Sequence, residues 1–200
     1  ALRHVRARCG DVPIGWVGHS MGGLIGCGLA QERASNLSAL VAIGSPGEPS
    51  LPWVARHGLG VLLAGVRWAR RVPTRLSMAA LAPFYVRLPV APGPIRLANM
   101  DAWTMRRLMA VGLEDVPMSL ARELLGWTHA RRLVAVRDKR DFGAQMTRVT
   151  TPLLCVAGSQ DHVSPPDSVR ALCDSAGSED KRFMLLGDSN TASSPYGHAD

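Results

Sequence analysis

Four short apolar runs stand out along the chain: Ile14–Val17, Leu40–Ile43, Leu153–Ala157 and Phe183–Leu186. Each ends at a glycine and is too short for a helix, so each predicts a buried strand. Leu24–Ala30 follows a glycine-rich turn and predicts the opening of a helix. Residues Ala1 to Cys9 read as the tail of a helix before the first strand. Pro165 and Pro166 open a further helix over Asp167–Cys173, since proline suits a first helical turn. Between Gly47 and Thr150 the strand pattern disappears. Pro73, Pro83, Pro89, Pro92, Pro94 and Pro117 break this stretch into short pieces. The spacing predicts helices near Trp53–Arg71, Thr74–Ala82, Met100–Val111 and Ser119–His129, after which Ala144–Met146 leads back to the third strand.

The turn after the first strand reads Gly18-His19-Ser20-Met21-Gly22-Gly23. A G-x-S-x-G sequence between a strand and a helix is the pattern of a nucleophile elbow. A serine hydroxyl is a weak nucleophile and needs a sharp turn and a neighbouring base. Gly18 and Gly22 are expected to relieve the crowding at that turn, and Gly23 to let the helix pack closely on the strand. The helix N-terminus points backbone N–H groups, Met21 first, at a developing oxyanion. A second reading of the same turn is a plain anion site.

Two other segments bear on that choice. Gly158-Ser159-Gln160-Asp161-His162-Val163-Ser164-Pro165 places Asp161 just past the end of the third strand. A polar loop after the fourth strand ends in Tyr196-Gly197-His198-Ala199-Asp200. In this reading His198 takes the Ser20 proton and returns it to the leaving group, and Asp161 holds the imidazole in the required tautomer. Taken singly, Asp161 also reads as a turn cap and His198 as a solvated loop residue. Asp141, in the charged run Asp138-Lys139-Arg140-Asp141, competes as the acid, but Asp161 follows a strand directly. His19 reads as a packing and hydrogen-bonding residue, and His162 as pointing away from the acid.

The order Ser20, Asp161, His198 resembles that of the α/β-hydrolases, in their lipase and esterase branch. Gly18–Gly23 is similar to that family's elbow, Gly158–Pro165 to its acid turn, and Gly197–Asp200 to its histidine loop. The resemblance implies a partial α/β-hydrolase fold: about four strands of a mostly parallel sheet with a helical cap insertion. It divides the chain into an elbow half at 1–46, a cap or lid at 47–150 over Ser20, and a C-terminal part of the core at 151–200. It implies a serine hydrolase that cleaves small-molecule or lipid-like carboxylic esters through an acyl-enzyme, with no cofactor and no metal. An acyltransferase or thioesterase uses the same residues, and a non-catalytic binding module shares the same fold. Dehalogenase and epoxide-hydrolase relatives carry aspartate where Ser20 stands. Family members have about eight strands with the elbow after the fifth, so the chain is expected to be part of a longer hydrolase. The loop bearing the second oxyanion donor, and a final helix, are then expected outside it, and the first strand is expected at the sheet edge with Ile14 and Trp16 exposed.

Composition narrows the partners. The 200 residues carry a net charge of +7, and only Lys139 and Lys181 among the cations are lysines. The arginines are scattered without a nucleic-acid motif, so no nucleic-acid partner is expected; weak contact with an anionic membrane surface is a second reading of the charge. Leu59–Val66, the most apolar stretch, falls short of the ~18 residues of a membrane span. Cys9, Cys27, Cys155 and Cys173 form no C-x-x-C pair, and Cys27 and Cys155 fall on expected core elements. This fits a reducing, cytoplasmic setting. The insert's Trp53, Trp68, Phe84, Tyr85, Met100, Trp103, Met105, Met109, Met118 and Trp127 fit two roles: the cap's own packing, or the lining of an acyl pocket.

Overall fold

The computed structural model describes residues 2–32, 36–50, 53–85, 99–112, 114–135, 139–187 and 194–199. Pro89, Pro92, Pro94, Asp138 and Asp200, and the side chains of Trp53, Phe84 and Tyr85, lie outside the described residues. Strands β1 (Ile14–His19), β2 (Leu37–Ile43), β5 (Leu153–Gly158) and β6 (Lys181–Leu186) form one sheet in the order β1-β2-β5-β6. All three pairings are parallel. Each strand runs past its apolar run. At β6 the extension is basic: Lys181 is exposed, and its ammonium donates to the Asp174 and Ala176 carbonyls at the end of α7 (Pro166–Ser175). A cation at a helix C-terminus satisfies carbonyls that have no partner within the helix.

Helix α2 (Met21–Ala30) contains Gly22, Gly23, Gly26 and Gly28, a composition of low intrinsic helix propensity. Tertiary packing holds it. A Cβ on Gly26 would stand 2.5 Å from the Trp16 ring and 2.7 Å from Leu40. The bare backbone therefore lets α2 lie directly on β1 and β2. The core fills this face of the sheet, with Leu40, Ala42, Leu153, Cys155 and Ala157 packed against Cys27, Ala30, Val169, Leu172 and Cys173. Alternation sends the intervening side chains to the opposite face. There Val17 is 70% exposed, Met184 is also exposed, and Val41 and Leu154 are half-buried.

Among the described residues β1 lies at one edge of the sheet, as expected, and β6 at the other, but the exposed side chains of β1 differ from those expected. Ile14 and Trp16 are half-buried against the core, and Trp16 Nε1 donates to the Gly22 carbonyl at 3.0 Å. The strand's period of two turns these residues towards α2 and leaves Gly15, Val17 and His19 outward.

Helix α1 (Leu2–Cys9) precedes β1. The insert contains α3 (Trp53–Gly65), α4 (Thr74–Tyr85), α5 (Ala102–Val111) and α6 (Met118–Ala130). It departs from expectation between α3 and α4. Arg71–Val72 (β3) leaves the helix and pairs antiparallel with Val116–Pro117 (β4). Helix α4 continues through Pro83 rather than stopping before it. Helix α5 begins one residue after Asp101, whose carboxylate accepts from the Trp103 and Thr104 N–H groups. An aspartate cap of this kind satisfies N–H groups that have no partner within the helix. Ala144–Met146 is a turn leading into a short 3₁₀ helix at Met146–Arg148. The insert has its own small core of Leu63, Met118 and Ala121. Among the described residues, no helix is long and apolar enough to cross a membrane.

Candidate active site

Ser20 sits between β1 and α2 with φ 53° and ψ −119°, a region that non-glycine residues rarely adopt. Such a conformation costs ~1–3 kcal/mol and persists only where its surroundings enforce it. The Ser20 N–H donates to the Ile43 carbonyl at 2.7 Å, and the buried Ser45 hydroxyl donates to the Ser20 carbonyl at 2.7 Å. The sharp turn also requires absent side chains. A Cβ on Gly18 would lie 2.3 Å from the Gly22 backbone, and one on Gly23 would lie 2.1 Å from Ser45 Oγ. Gly22 differs from expectation: a Cβ there would meet nothing within 4 Å. The crowding falls on Gly18 and Gly23, the residues that face across the turn.

Asp161 lies just past β5 and is buried, with its side chain 1% exposed. One carboxylate oxygen accepts from the Val163 N–H at 2.8 Å and the Ser164 N–H at 2.7 Å. The other stands 2.8 Å from His198 Nδ1. A carboxylate only accepts, so Nδ1 carries the proton and Nε2 is free to accept. Nε2 lies 2.9 Å from Ser20 Oγ. Ser20 thus meets two side chains from the far end of the chain in one hydrogen-bonded line. The His198 side chain is 9% exposed, which shields this line from water.

Neighbours hold the imidazole in place. His19 Nε2 donates to the His198 carbonyl at 2.6 Å, and the two rings are 4.7 Å apart at an interplanar angle of 47°. Gly44, at φ 55°, leaves room for the ring: a Cβ there would approach His198 Nδ1 to 3.2 Å. The Asn99 amide donates to the Pro195 carbonyl at 2.6 Å, and the Ser194 hydroxyl donates to the Asn99 side-chain oxygen at 2.8 Å. Gly44, Ser45 and Asn99 are absent from the sequence expectations. The first two belong to the Ile43-Gly44-Ser45-Pro46-Gly47 stretch that leaves the second strand, and only their contacts reveal their part. Met21 opens α2, so its N–H has no partner within the helix and stands beside Ser20.

The remaining candidates lie elsewhere. Asp141 is paired with Arg132 and accepts from the Ala144 N–H. His162 is exposed. Among the described residues, no three His, Cys, Asp or Glu side chains form a group able to hold a metal. Of the insert's apolar candidates, Met105, Met109 and Met118 are buried, whereas Trp68 is 82% and Trp103 66% exposed. Burial pushes the Cys27 thiol up to about 12 and raises the Cys155 and Cys173 thiols as well. These cysteines are neutral core groups, not nucleophiles.

The chain belongs to the alpha/beta hydrolase fold family, which it matches over residues 1–190. Its fold is shared by a thermophilic esterase from Thermogutta terrifontis, at 17% identity and a TM-score of 0.61, covering 98% of this chain and 61% of that one. It is shared by a monoacylglycerol lipase from Paleococcus ferrophilus, at 16% identity and a TM-score of 0.60, covering 98% and 63%. A putative non-heme bromoperoxidase from Mycobacterium tuberculosis H37Rv has 17% identity and a TM-score of 0.59, with 98% and 63% covered. The chain thus spans about three-fifths of the length of these proteins. No curated protein matches it in sequence.

Proposed function

We propose that this chain carries the catalytic residues of a serine hydrolase acting on carboxylic esters. The observation that carries the reading is the line Ser20 Oγ, His198 Nε2, His198 Nδ1 and Asp161, with contacts of 2.9 and 2.8 Å. In this reading Ser20 Oγ attacks the ester carbonyl carbon while its proton passes to His198 Nε2. Asp161 stabilises the imidazolium and keeps it oriented. The Met21 N–H donates to the tetrahedral oxyanion. Collapse breaks the C–O bond to the alcohol, which takes the proton from His198 and leaves an ester on Ser20. Water activated by His198 then releases the carboxylic acid and restores Ser20. Residues 1–46 and 151–200 form the core in this proposal, with 47–150 as a cap over Ser20. The fold shared with an esterase and a monoacylglycerol lipase supports ester chemistry.

The test is labelling by a fluorophosphonate, in which Ser20 Oγ displaces fluoride from phosphorus. The expected result is one adduct on Ser20, absent from Ser20→Ala. An unmodified wild-type protein, or an adduct that survives in Ser20→Ala, removes the assignment. Loss of Ser20 should lower ester turnover by on the order of 10⁶, as for a serine protease stripped of its nucleophile.

A further inference from the structure

Arginines occur along the whole chain, but the acids that balance them do not. Between Glu48 and Asp101 stand seven arginines and no lysine, aspartate or glutamate. That charge equals the chain's entire net charge of +7; elsewhere cations and acids cancel. Arg87 and Arg96 of this stretch lie outside the described residues. Four of the others, Arg67, Arg70, Arg71 and Arg75, are exposed on the connection that runs from α3 through β3 into α4. Trp68 and Leu76 stand among them, 82% and 73% exposed. We infer that this connection docks on an anionic phospholipid surface, with its arginines on lipid phosphates and Trp68 and Leu76 in the apolar boundary beneath them. The docking does not depend on the reaction at Ser20.

The connection is fixed by its backbone and free in its side chains. Arg122 donates to the Arg67 carbonyl at 3.1 Å, the Met118 N–H to the Arg70 carbonyl at 3.0 Å, and the Arg75 N–H to the Asp115 carboxylate at 3.1 Å. Alternation along β3 turns Val72 to the insert's small core and Arg71 outward. Among the described residues none of the four guanidiniums is in an ion pair. Asp115 is half-buried, and its contact with the segment is the bond to the Arg75 N–H. Four uncompensated cations on a rigid backbone call for an anionic partner. The apolar residues choose which one. A nucleic acid can stack a base on Trp68 but leaves Leu76 in water. A bilayer takes both: a tryptophan sits favourably at headgroup level, and a leucine gains by leaving water for the acyl boundary. Anionic headgroups draw arginines to the same depth.

The test is co-sedimentation of the protein with vesicles of equimolar phosphatidylserine and phosphatidylcholine, against vesicles of phosphatidylcholine alone. The anionic vesicles should carry the protein down and the neutral ones should not. Each arginine near an anionic surface strengthens binding about fivefold, so Arg70→Gln, Arg71→Gln and Arg75→Gln together should weaken it on the order of 100-fold. Arg3→Gln, Arg8→Gln and Arg182→Gln together remove the same charge from exposed positions outside the insert and should leave binding near wild type. Thermal melting checks that both triple variants are folded. Entry of Trp68 into the headgroup boundary should shift the tryptophan emission to the blue on anionic vesicles, and Trp68→Phe, which keeps an apolar ring, should remove the shift while binding persists. A wild-type protein that ignores anionic vesicles, an equal loss in the two triple variants, or binding without a Trp68-dependent shift overturns the inference. Tighter binding to a single-stranded RNA than to the vesicles, lost in the Arg70, Arg71 and Arg75 variant, assigns the surface to nucleic acid and overturns it as well.

Discussion

Replacing Asp161 by asparagine changes one atom in the hydrogen-bonded line, and the structure dictates its effect. One Asp161 oxygen accepts from two backbone N–H groups, of Val163 and Ser164, at 2.8 and 2.7 Å. An asparagine can keep those bonds only by presenting its oxygen to them, which turns its NH₂ towards His198 Nδ1. The opposite orientation would set the NH₂ against two buried N–H donors, at ~1–3 kcal/mol for each donor left unpaired. The first orientation therefore wins. Facing a donor, Nδ1 must give up its proton, and the neutral imidazole then carries it on Nε2. Nε2–H points at Ser20 Oγ and can no longer accept from it. The base is lost although no atom has moved. The same substitution in a Ser-His-Asp protease lowers turnover on the order of 10⁴, which corresponds to about 5 kcal/mol of barrier. Stability should change little, because the side-chain shape and both backbone bonds are kept. The assay is turnover of a short-chain p-nitrophenyl ester, with thermal melting as the control for folding. A folded Asp161→Asn protein retaining more than about a tenth of wild-type turnover would refute the orienting role of Asp161.

Other consequences follow from particular contacts. Gly26→Ala should destabilise by up to ~2 kcal/mol: its methyl collides with Trp16 and Leu40, an overpacking cost of ~1–3 kcal/mol that exceeds the gain of up to ~1 kcal/mol in helix propensity. A midpoint of urea unfolding equal to or above wild type would contradict it. The Cys27 thiol, raised from 9.0 to about 12, keeps its proton in the folded chain after it has ionised in the unfolded one. Folding then loses stability as pH rises above 9, the folded state binding more protons through that window. Cys27→Ala should flatten this alkaline decline, and an unchanged slope would count against it. At neutral pH, exposed Cys9 should react with a thiol reagent at once and buried Cys27, Cys155 and Cys173 only on unfolding, which counting modified thiols by mass will check. Val17→Lys, on the outward side of edge strand β1, should reduce any self-association seen by light scattering, since a lysine there opposes strand pairing. Unaltered association would place the contact elsewhere.

Much of this protein is written locally in its chain. Apolar runs and punctuating glycines and prolines mark all four strands of the main sheet, because burial and turn geometry act over a few residues. The elbow is legible for the same reason: Gly18, Ser20 and Gly23 lie within one turn, and each answers a constraint imposed there. The acid and the base are legible as residues that follow strand ends in a particular order. Their meeting is not local. Residues 161 and 198 reach Ser20 only because parallel pairing aligns the C-terminal ends of β1, β5 and β6 along one edge. The side of β1 that is buried depends equally on which face α2 covers. The short β3–β4 pair arises from contacts between segments distant in sequence, where neither run has a strand pattern of its own. Gly44 and Ser45 fit the imidazole and the elbow, and Asn99 ties down the loop before His198, through hydrogen bonds and close approaches. Such contacts leave no periodicity, since they depend on distances that exist only once the chain has folded.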